Sequence, residues 1–145
     1  MALSAGATKS MVLINPVTNN AKIIGDDISF DSGSALTAIR FDLYKVTTLG
    51  SPAGTSATLD VMDDTDPVAA TCTALTALSA EPTTVAAIHS GFIQPIGGGV
   101  PQPLLPNGRE YKLKGGGSRW GIRLITPSGV SPNCCLNIQI EEGGN

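Results

Sequence analysis

Short stretches in which apolar and polar residues alternate recur along the chain, and turn-forming residues separate them. In the clearest stretch, 134–141, one face carries Cys, Leu, Ile and Ile, and the other carries Cys, Asn, Gln and Glu. A period of two residues is typical of a strand that buries one face. Alternation or short apolar runs predict further strands at 11–14, 22–24, 28–30, 36–46, 58–62, 83–88, 111–114 and 120–124.

The segment 63–80 has two interpretations. Apolar residues recur at every third position from Cys72 to Leu78, and Asp66 followed by Pro67 suits the first turn of a helix. The many threonines favour an extended backbone instead, because a β-branched side chain is restricted in a helix. We predict loop and strand in this segment, with a short helix as the alternative.

The pattern as a whole predicts an all-β protein of about eight strands joined by loops rich in Gly and Pro. We therefore expect an antiparallel β-sandwich that is jelly-roll-like. An immunoglobulin-like sandwich is the alternative, because the number of strands does not fix their connections. Residues 1–10 are small, polar and aperiodic, which predicts a flexible N-terminal arm, and we expect residues 11–145 to form a single domain.

The composition narrows the class of protein. Charged residues make up 14% of the 145 residues, against about 25% in an average protein, and the net charge is −3. This argues against a disordered chain, which is usually highly charged, and against binding to nucleic acid, which needs a basic surface. A monomer usually carries more surface charge, so we expect neighbouring chains to cover part of this surface, as in a dimer or trimer.

The N-terminus and the cysteines indicate the compartment. Residues 1–10 hold no apolar stretch of the kind that directs secretion, and no apolar run of about 18 residues suggests a membrane span. We expect a protein that is made in a cytoplasm and does not bind membranes. Three cysteines do not suggest a disulfide framework. Cys134 and Cys135 predict one buried and one exposed thiol, because adjacent strand residues face opposite ways.

Few residues suggest chemistry. Four aspartates within 60–66 suit either a calcium site or a solvated turn, and their spacing is not that of an EF-hand. His89 is the single histidine, and its neighbours do not form a nucleophile motif, so we expect a partly buried strand residue. The glycine triplets are not followed by the helix start that binds phosphate. We predict no catalytic residue, metal or cofactor, and hence no enzyme.

Three regions are candidates for contact with a partner protein. They are the N-terminal arm, an exposed loop spanning 97–106, and the outward face of the predicted strand 120–124. That face and the basic residues of 109–114 would form a basic strip, for which a solvated strand face is the alternative explanation. The candidate contacts are Ala2, Leu3, Lys9, Gly97, Gly98, Gly99, Val100, Arg119 and Arg123.

Five short segments between residues 81 and 142 follow one another in a familiar order. They are EPT at 81–83, FIQP at 92–95, LPNGRE at 105–110, RWGIRL at 119–124 and IEE at 140–142. Their order resembles small all-β virion proteins of tailed phages, in particular capsid cement (decoration) proteins. The resemblance implies a jelly-roll-like sandwich that docks on the outer capsid at symmetry axes, often as a trimer or dimer, and it implies no catalysis.

The expected function is therefore that of a virion structural protein that binds the major capsid protein and stabilises the capsid lattice. It would be made in the host cytoplasm and end on the capsid surface. Such a clamp needs no reaction, because buried area across capsid subunits favours the assembled state by mass action. The alternative is a carbohydrate-binding or receptor-binding module of a phage tail or baseplate, a class that usually exposes aromatic side chains.

Overall fold

The computed structural model describes residues 2–32, 37–57, 59, 71–101 and 111–143. Within these residues there are ten strands: β1 (Thr8–Asn15), β2 (Ala21–Ser32), β3 (Ile39–Thr48), β4 (Ala53–Ala57), β5 (Thr73–Ala80), β6 (Thr84–Ile93), β7 (Ile96–Pro101), β8 (Tyr111–Leu113), β9 (Trp120–Ile125) and β10 (Cys134–Glu142). This part of the chain contains no helix long and apolar enough to cross a membrane.

The strands form two antiparallel sheets. The large sheet has six strands in the order β4-β5-β1-β9-β3-β6, and the small sheet has the order β10-β2-β7, with β8 also paired to β2. The chain repeatedly crosses between the sheets, from β1 to β2 to β3 and from β8 to β9 to β10. The predicted all-β, antiparallel and jelly-roll-like sandwich is confirmed.

The main core lies between the two sheets. The large sheet contributes residues such as Ile14, Phe41 and Leu124, and the small sheet contributes Ile28 and Phe30. In β10 the alternation is the predicted one, with Cys134 buried and Leu136, Ile138 and Ile140 half-buried against this core. Across the sheets the rings of Tyr111 and Trp120 lie 5.7 Å apart. Trp120 therefore faces the main core, against which it packs.

The large sheet also buries side chains on its other face. There Leu13, Tyr44 and Leu78 form a second cluster, with Val46, Leu49, Leu75 and Val85 packed against it. A strand covered on both faces has no need to alternate, which explains why 11–14 is a continuous apolar run. We call this face of the large sheet, opposite the main core, its outer face.

Several strand boundaries differ from the predictions. The runs 22–24 and 28–30 belong to one strand, β2, because Gly25 continues the ladder opposite Gln139 rather than ending it. Strands β4 and β7 lie in stretches predicted as loops. Their small residues carry little hydrophobic pattern, so the alternation that marks a strand is missing. The predicted strand 58–62 lies outside the described residues except for Leu59, which is not in a strand.

The ambiguous segment contains strand β5, and the helical alternative is wrong for Thr73–Ala80. Ala77 has a φ of 48°, and the register between β4 and β5 shifts at this point. Such a bulge changes the face on which the following side chain lies. It brings Leu75 and Leu78 into the same outer cluster, and so produces the three-residue spacing that resembled a helix. Residues 63–70 lie outside the described residues.

The N-terminal segment is placed against the end of the sandwich. Ala2 forms a bridge with Asn133, Leu3 donates its N–H to the Pro132 carbonyl at 3.0 Å, and its side chain is only 4% exposed. Strand β1 begins at Thr8, inside the stretch 1–10 that was predicted as a flexible arm. The position of the segment is therefore defined, while its flexibility stays a prediction.

Candidate functional site

A buried carboxylate organises the outer face of the large sheet. Asp42 lies between Phe41 and Leu43, which face the main core, so its own side chain points to the outer face. That side chain is fully buried, and it accepts hydrogen bonds from Ser90 Oγ at 2.6 Å, Arg40 Nε at 2.8 Å and Arg123 Nε and Nη2 at 3.0 and 2.9 Å. Burial alone would raise the pKa of Asp42, but these hydrogen bonds outweigh it and lower the pKa.

A tyrosine extends this arrangement across the sheet. The Tyr44 hydroxyl lies 2.8 Å from Ser10 Oγ, and Ser10 Oγ in turn donates to Glu81, so the tyrosine is the donor to Ser10. Burial raises the pKa of Tyr44 to about 12. The Arg123 guanidinium lies 5.6 Å from the centre of the Tyr44 ring, a cation–π contact. A side chain on Gly121 would meet the tyrosine hydroxyl at 2.4 Å, so only glycine leaves room for the ring.

Together these side chains form what we call the polar network: Asp42, Arg40, Arg123, Ser90, Tyr44, Ser10 and Glu81. Its groups are already satisfied by one another. The ionised Asp42 carboxylate holds four donors, and Tyr44 stays protonated at physiological pH. The network joins residues of β1, β9, β3 and β6, so its geometry suits a rigid support for the edge of the sheet.

That edge is β6, the last strand of the large sheet. Within the described residues β6 pairs with β3 alone, so its second row of backbone groups has no strand beside it. The strand is ten residues long, reads TVAAIHSGFI and contains no Asp, Glu, Lys or Arg. Proteins usually protect such an edge with charges, proline or a covering element, because an open edge pairs readily with other chains.

Two large apolar side chains are exposed on β6. Phe92 is 75% exposed and Ile88 is 43% exposed. Ile88 has no partner on β3, because the register shifts between Leu43 and Tyr44. Such an irregularity shortens the straight part of the edge without covering its apolar side chains. Phe92 lies opposite Arg40, whose side chain is 44% exposed. Edge strand β6, with Phe92 and Ile88, is the candidate functional site.

His89 lies on the same strand, on the side facing the main core. Its ring is 5.6 Å from that of Phe41, and it is exposed rather than partly buried as predicted, because β6 is an edge. Asp26 of the small sheet lies close enough to His89 for the histidine to affect the pKa of Asp26. Burial raises the pKa of Asp26, the attraction of His89 opposes this rise, and repulsion from Asp27 adds to it.

The predicted N-terminal contacts have different environments. Ala2 is exposed, whereas Leu3 is part of the main core and cannot contact a partner without leaving it. Lys9 lies half-buried on β1 and donates to the backbone carbonyl of Leu78. Of these three candidates, Ala2 is the one with an exposed side chain.

The predicted exposed loop 97–106 is partly a strand. Gly98, Gly99 and Val100 pair with Phe30, Ser29 and Ile28 of β2, and Gly97 lies within the same strand. Glycine lacks a side chain that would reveal a pairing pattern, so the sequence predicted a loop. Residues 102–106 lie outside the described residues.

The predicted basic strip does not form. Lys112 lies on β8 in the small sheet, whereas Arg123 lies on β9 in the large sheet, so the two strands are not neighbours. Arg123 does face outward from the main core as predicted, but Asp42 and the Tyr44 ring occupy its guanidinium. Arg119 precedes β9, is half-buried, and accepts a hydrogen bond from the Val46 N–H on its carbonyl at 2.9 Å. Arg109 lies outside the described residues.

The cysteines follow the prediction. Cys134 and Cys72 are buried thiols, and Cys135 is an exposed one. Burial raises the pKa of both buried thiols to about 11. Cys134 also lines a mostly apolar cavity of about 330 Å³ between the sheets, together with Met11, Leu136 and others. The aspartates of 60–66 lie outside the described residues.

Comparisons of the chain with protein-family models, with curated proteins and with solved structures found no match. The structure itself defines the class: an antiparallel two-sheet β-sandwich with an uncharged edge strand held by a buried polar network.

Proposed function

We propose that the chain is a non-enzymatic structural protein of a virion, a capsid cement protein that binds the major capsid protein on the outer surface of a tailed-phage head. The observation that carries the proposal is β6, an uncharged edge strand that exposes Phe92 and Ile88. A surface of this kind is kept in a protein whose neighbours cover it, since it otherwise invites aggregation.

The rest of the molecule suits such a role. The polar network fixes Ser90 of β6 through Asp42, so the edge is held in one geometry before it meets a neighbour. A preorganised surface loses little conformational entropy on binding, and more of its buried area therefore appears as affinity. The low charge of the chain points the same way, because a surface covered by neighbours needs fewer solvated groups.

The test uses heads of the phage that encodes the chain, assembled without it. We expect purified protein to bind expanded heads with a fixed number of copies per head and to raise the temperature at which they release DNA. Heads incubated with a heat-aggregated sample serve as the control. Saturating protein that gives neither fixed occupancy nor greater heat resistance would contradict the cement role.

A carbohydrate-binding module of a phage tail or baseplate is the second candidate, and exposed Phe92 is the observation in its favour. An aromatic ring can stack on a sugar, and such sites usually add converging polar groups around the ring. Near Phe92 the polar groups of Arg40 and Ser90 are engaged by Asp42. Binding to a glycan array that Phe92→Ala abolishes would favour this candidate over the cement role.

A further inference from the structure

The spacing of side chains along β6 is symmetric about Ser90. The two exposed large apolar residues, Ile88 and Phe92, lie two positions before and two positions after it. One position away on either side are His89, a large side chain, and Gly91, which has none. An antiparallel pair of identical strands centred on Ser90 would therefore place Ile88 opposite Phe92 twice, and His89 opposite Gly91 twice.

We propose that β6 pairs with β6 of a second copy of this chain about a two-fold axis at Ser90. The two large sheets then join into one continuous sheet of twelve strands, and the open edge of each copy disappears. A two-fold contact uses the same surface on both copies, so that surface must complement itself. The sequence around Ser90 meets this requirement, since large side chains meet either each other or a glycine, and no charges meet.

Length, exposed apolar side chains and the absence of charge distinguish β6 from other strand edges. Strand β4, at the opposite end of the large sheet, has five residues and no side chain larger than threonine, so pairing there buries little apolar surface. Strand β10, at one end of the small sheet, carries Glu141 and Glu142. Charged residues on an edge disfavour pairing with another chain. Among these three edges, β6 alone combines length, exposed apolar side chains and the absence of charge.

The partner is a second copy rather than an unrelated strand because the complementarity lies within β6 itself. The nearest exposed cation, Arg40, is paired with Asp42 of its own chain, so it does not repel its symmetry mate strongly. This inference concerns the free protein, in which the second copy covers β6, so a capsid subunit would reach β6 only after the dimer separates. It does not rest on the proposed role on capsids.

Sedimentation of the purified protein over a dilution series tests the dimer. We expect a reversible dimer of the unmodified chain, with a dissociation constant that rises about 100-fold in Phe92→Lys and in Ile88→Glu. Each substitution removes two apolar contacts, one on either side of the two-fold axis, and each lost contact weakens pairing about tenfold. Val17→Lys is the matched control, because Val17 is 48% exposed and lies outside β6, and we expect it to dimerise normally.

Mixing the two disruptive variants tests the register. In a mixed dimer, the lysine introduced at position 92 faces the glutamate introduced at position 88, and the other Ile88–Phe92 contact stays intact. We expect the mixture to form a heterodimer at concentrations at which each variant alone is monomeric. A chain that remains monomeric above micromolar concentrations, a dimer that Phe92→Lys leaves unchanged, or a mixture that stays monomeric would each overturn the proposal. None of these measurements involves capsids, so this failure is distinct from failure of the cement role.

Discussion

Asp42→Asn is the substitution that examines the polar network most directly. The side chain keeps its shape but loses its charge, so Arg123 and Arg40 lose their common counter-ion. Breaking a buried ion pair by changing one partner costs about 3–5 kcal/mol. Here the arginine side chains are 23% and 44% exposed, and solvent screens part of the interaction, so we expect a loss of about 2–4 kcal/mol in the free energy of unfolding.

Urea denaturation measures this loss, with an unchanged m value as evidence that the folded and unfolded states keep their compactness. For a chain of this size the loss corresponds to a fall in Tm of roughly 5–15 °C. Glu141→Gln is the matched control, since Glu141 forms a 3.0 Å ion pair with Lys22 and its side chain is 54% exposed. Such surface pairs contribute little, so we expect a change below about 1 kcal/mol.

The effect also depends on pH. The pKa of Asp42 lies below its ordinary value of 3.8 in the folded state, so the folded protein binds fewer protons there than the unfolded chain. The stabilisation is complete above the unfolded pKa and is lost as the pH falls through the folded pKa. The difference between the unmodified chain and Asp42→Asn should therefore shrink below about pH 4. An equal stability of the two proteins at neutral pH would refute this account of the network.

Three further predictions concern packing. Gly121→Ala should lower the unfolding free energy by more than about 2 kcal/mol, because the added Cβ would lie 2.4 Å from the Tyr44 hydroxyl. Gly117→Ala is the control: a Cβ there meets nothing within 4 Å, so we expect almost no change in the same urea experiment. A thiol reagent should modify Cys135 in the folded protein and all three cysteines only after unfolding; fast labelling of all three would contradict the buried positions. Leu3→Ala should cost about 2–4 kcal/mol, and an unchanged stability would show that the N-terminal segment is not docked in solution.

The fold class could be predicted because apolar and polar residues alternate wherever a strand has one buried face and one solvent-exposed face. It was clearest in β10, where every inward position was assigned correctly. Strands β4 and β7 could not be predicted, because Ala and Gly fit either face. Strand β5 was ambiguous for a specific reason, namely that the bulge at Ala77 interrupts the alternation.

The candidate site was largely missed. Phe92 lies beyond the predicted strand 83–88, and nothing in its local sequence distinguishes an exposed Phe from a buried one. Which strand lies at an edge depends on the order of strands, which is a property of the whole chain. One signal was present: TVAAIHSGFI is the longest strand without a charge among the described residues, whereas an edge strand usually carries a charge.

The polar network was equally hidden. Asp42, Ser90 and Arg123 are far apart in the chain, and the alternation in β3 indicates only that Asp42 lies on the face opposite Phe41 and Leu43. It is buried because the large sheet is covered on both faces, and only the register that places Arg123 and Ser90 on either side of it makes that burial tolerable.

We infer that a neighbouring chain covers the edge of β6, which within the described residues pairs with β3 alone. Amide hydrogen exchange of β6 at low and high protein concentration tests it most directly, with the opposite edge strand β4 as an internal control. We predict that exchange at β6 slows as the concentration rises, while exchange at β4 stays the same. Equal and rapid exchange of the outward amides of β6 at every concentration, and on heads carrying the protein, would contradict the account.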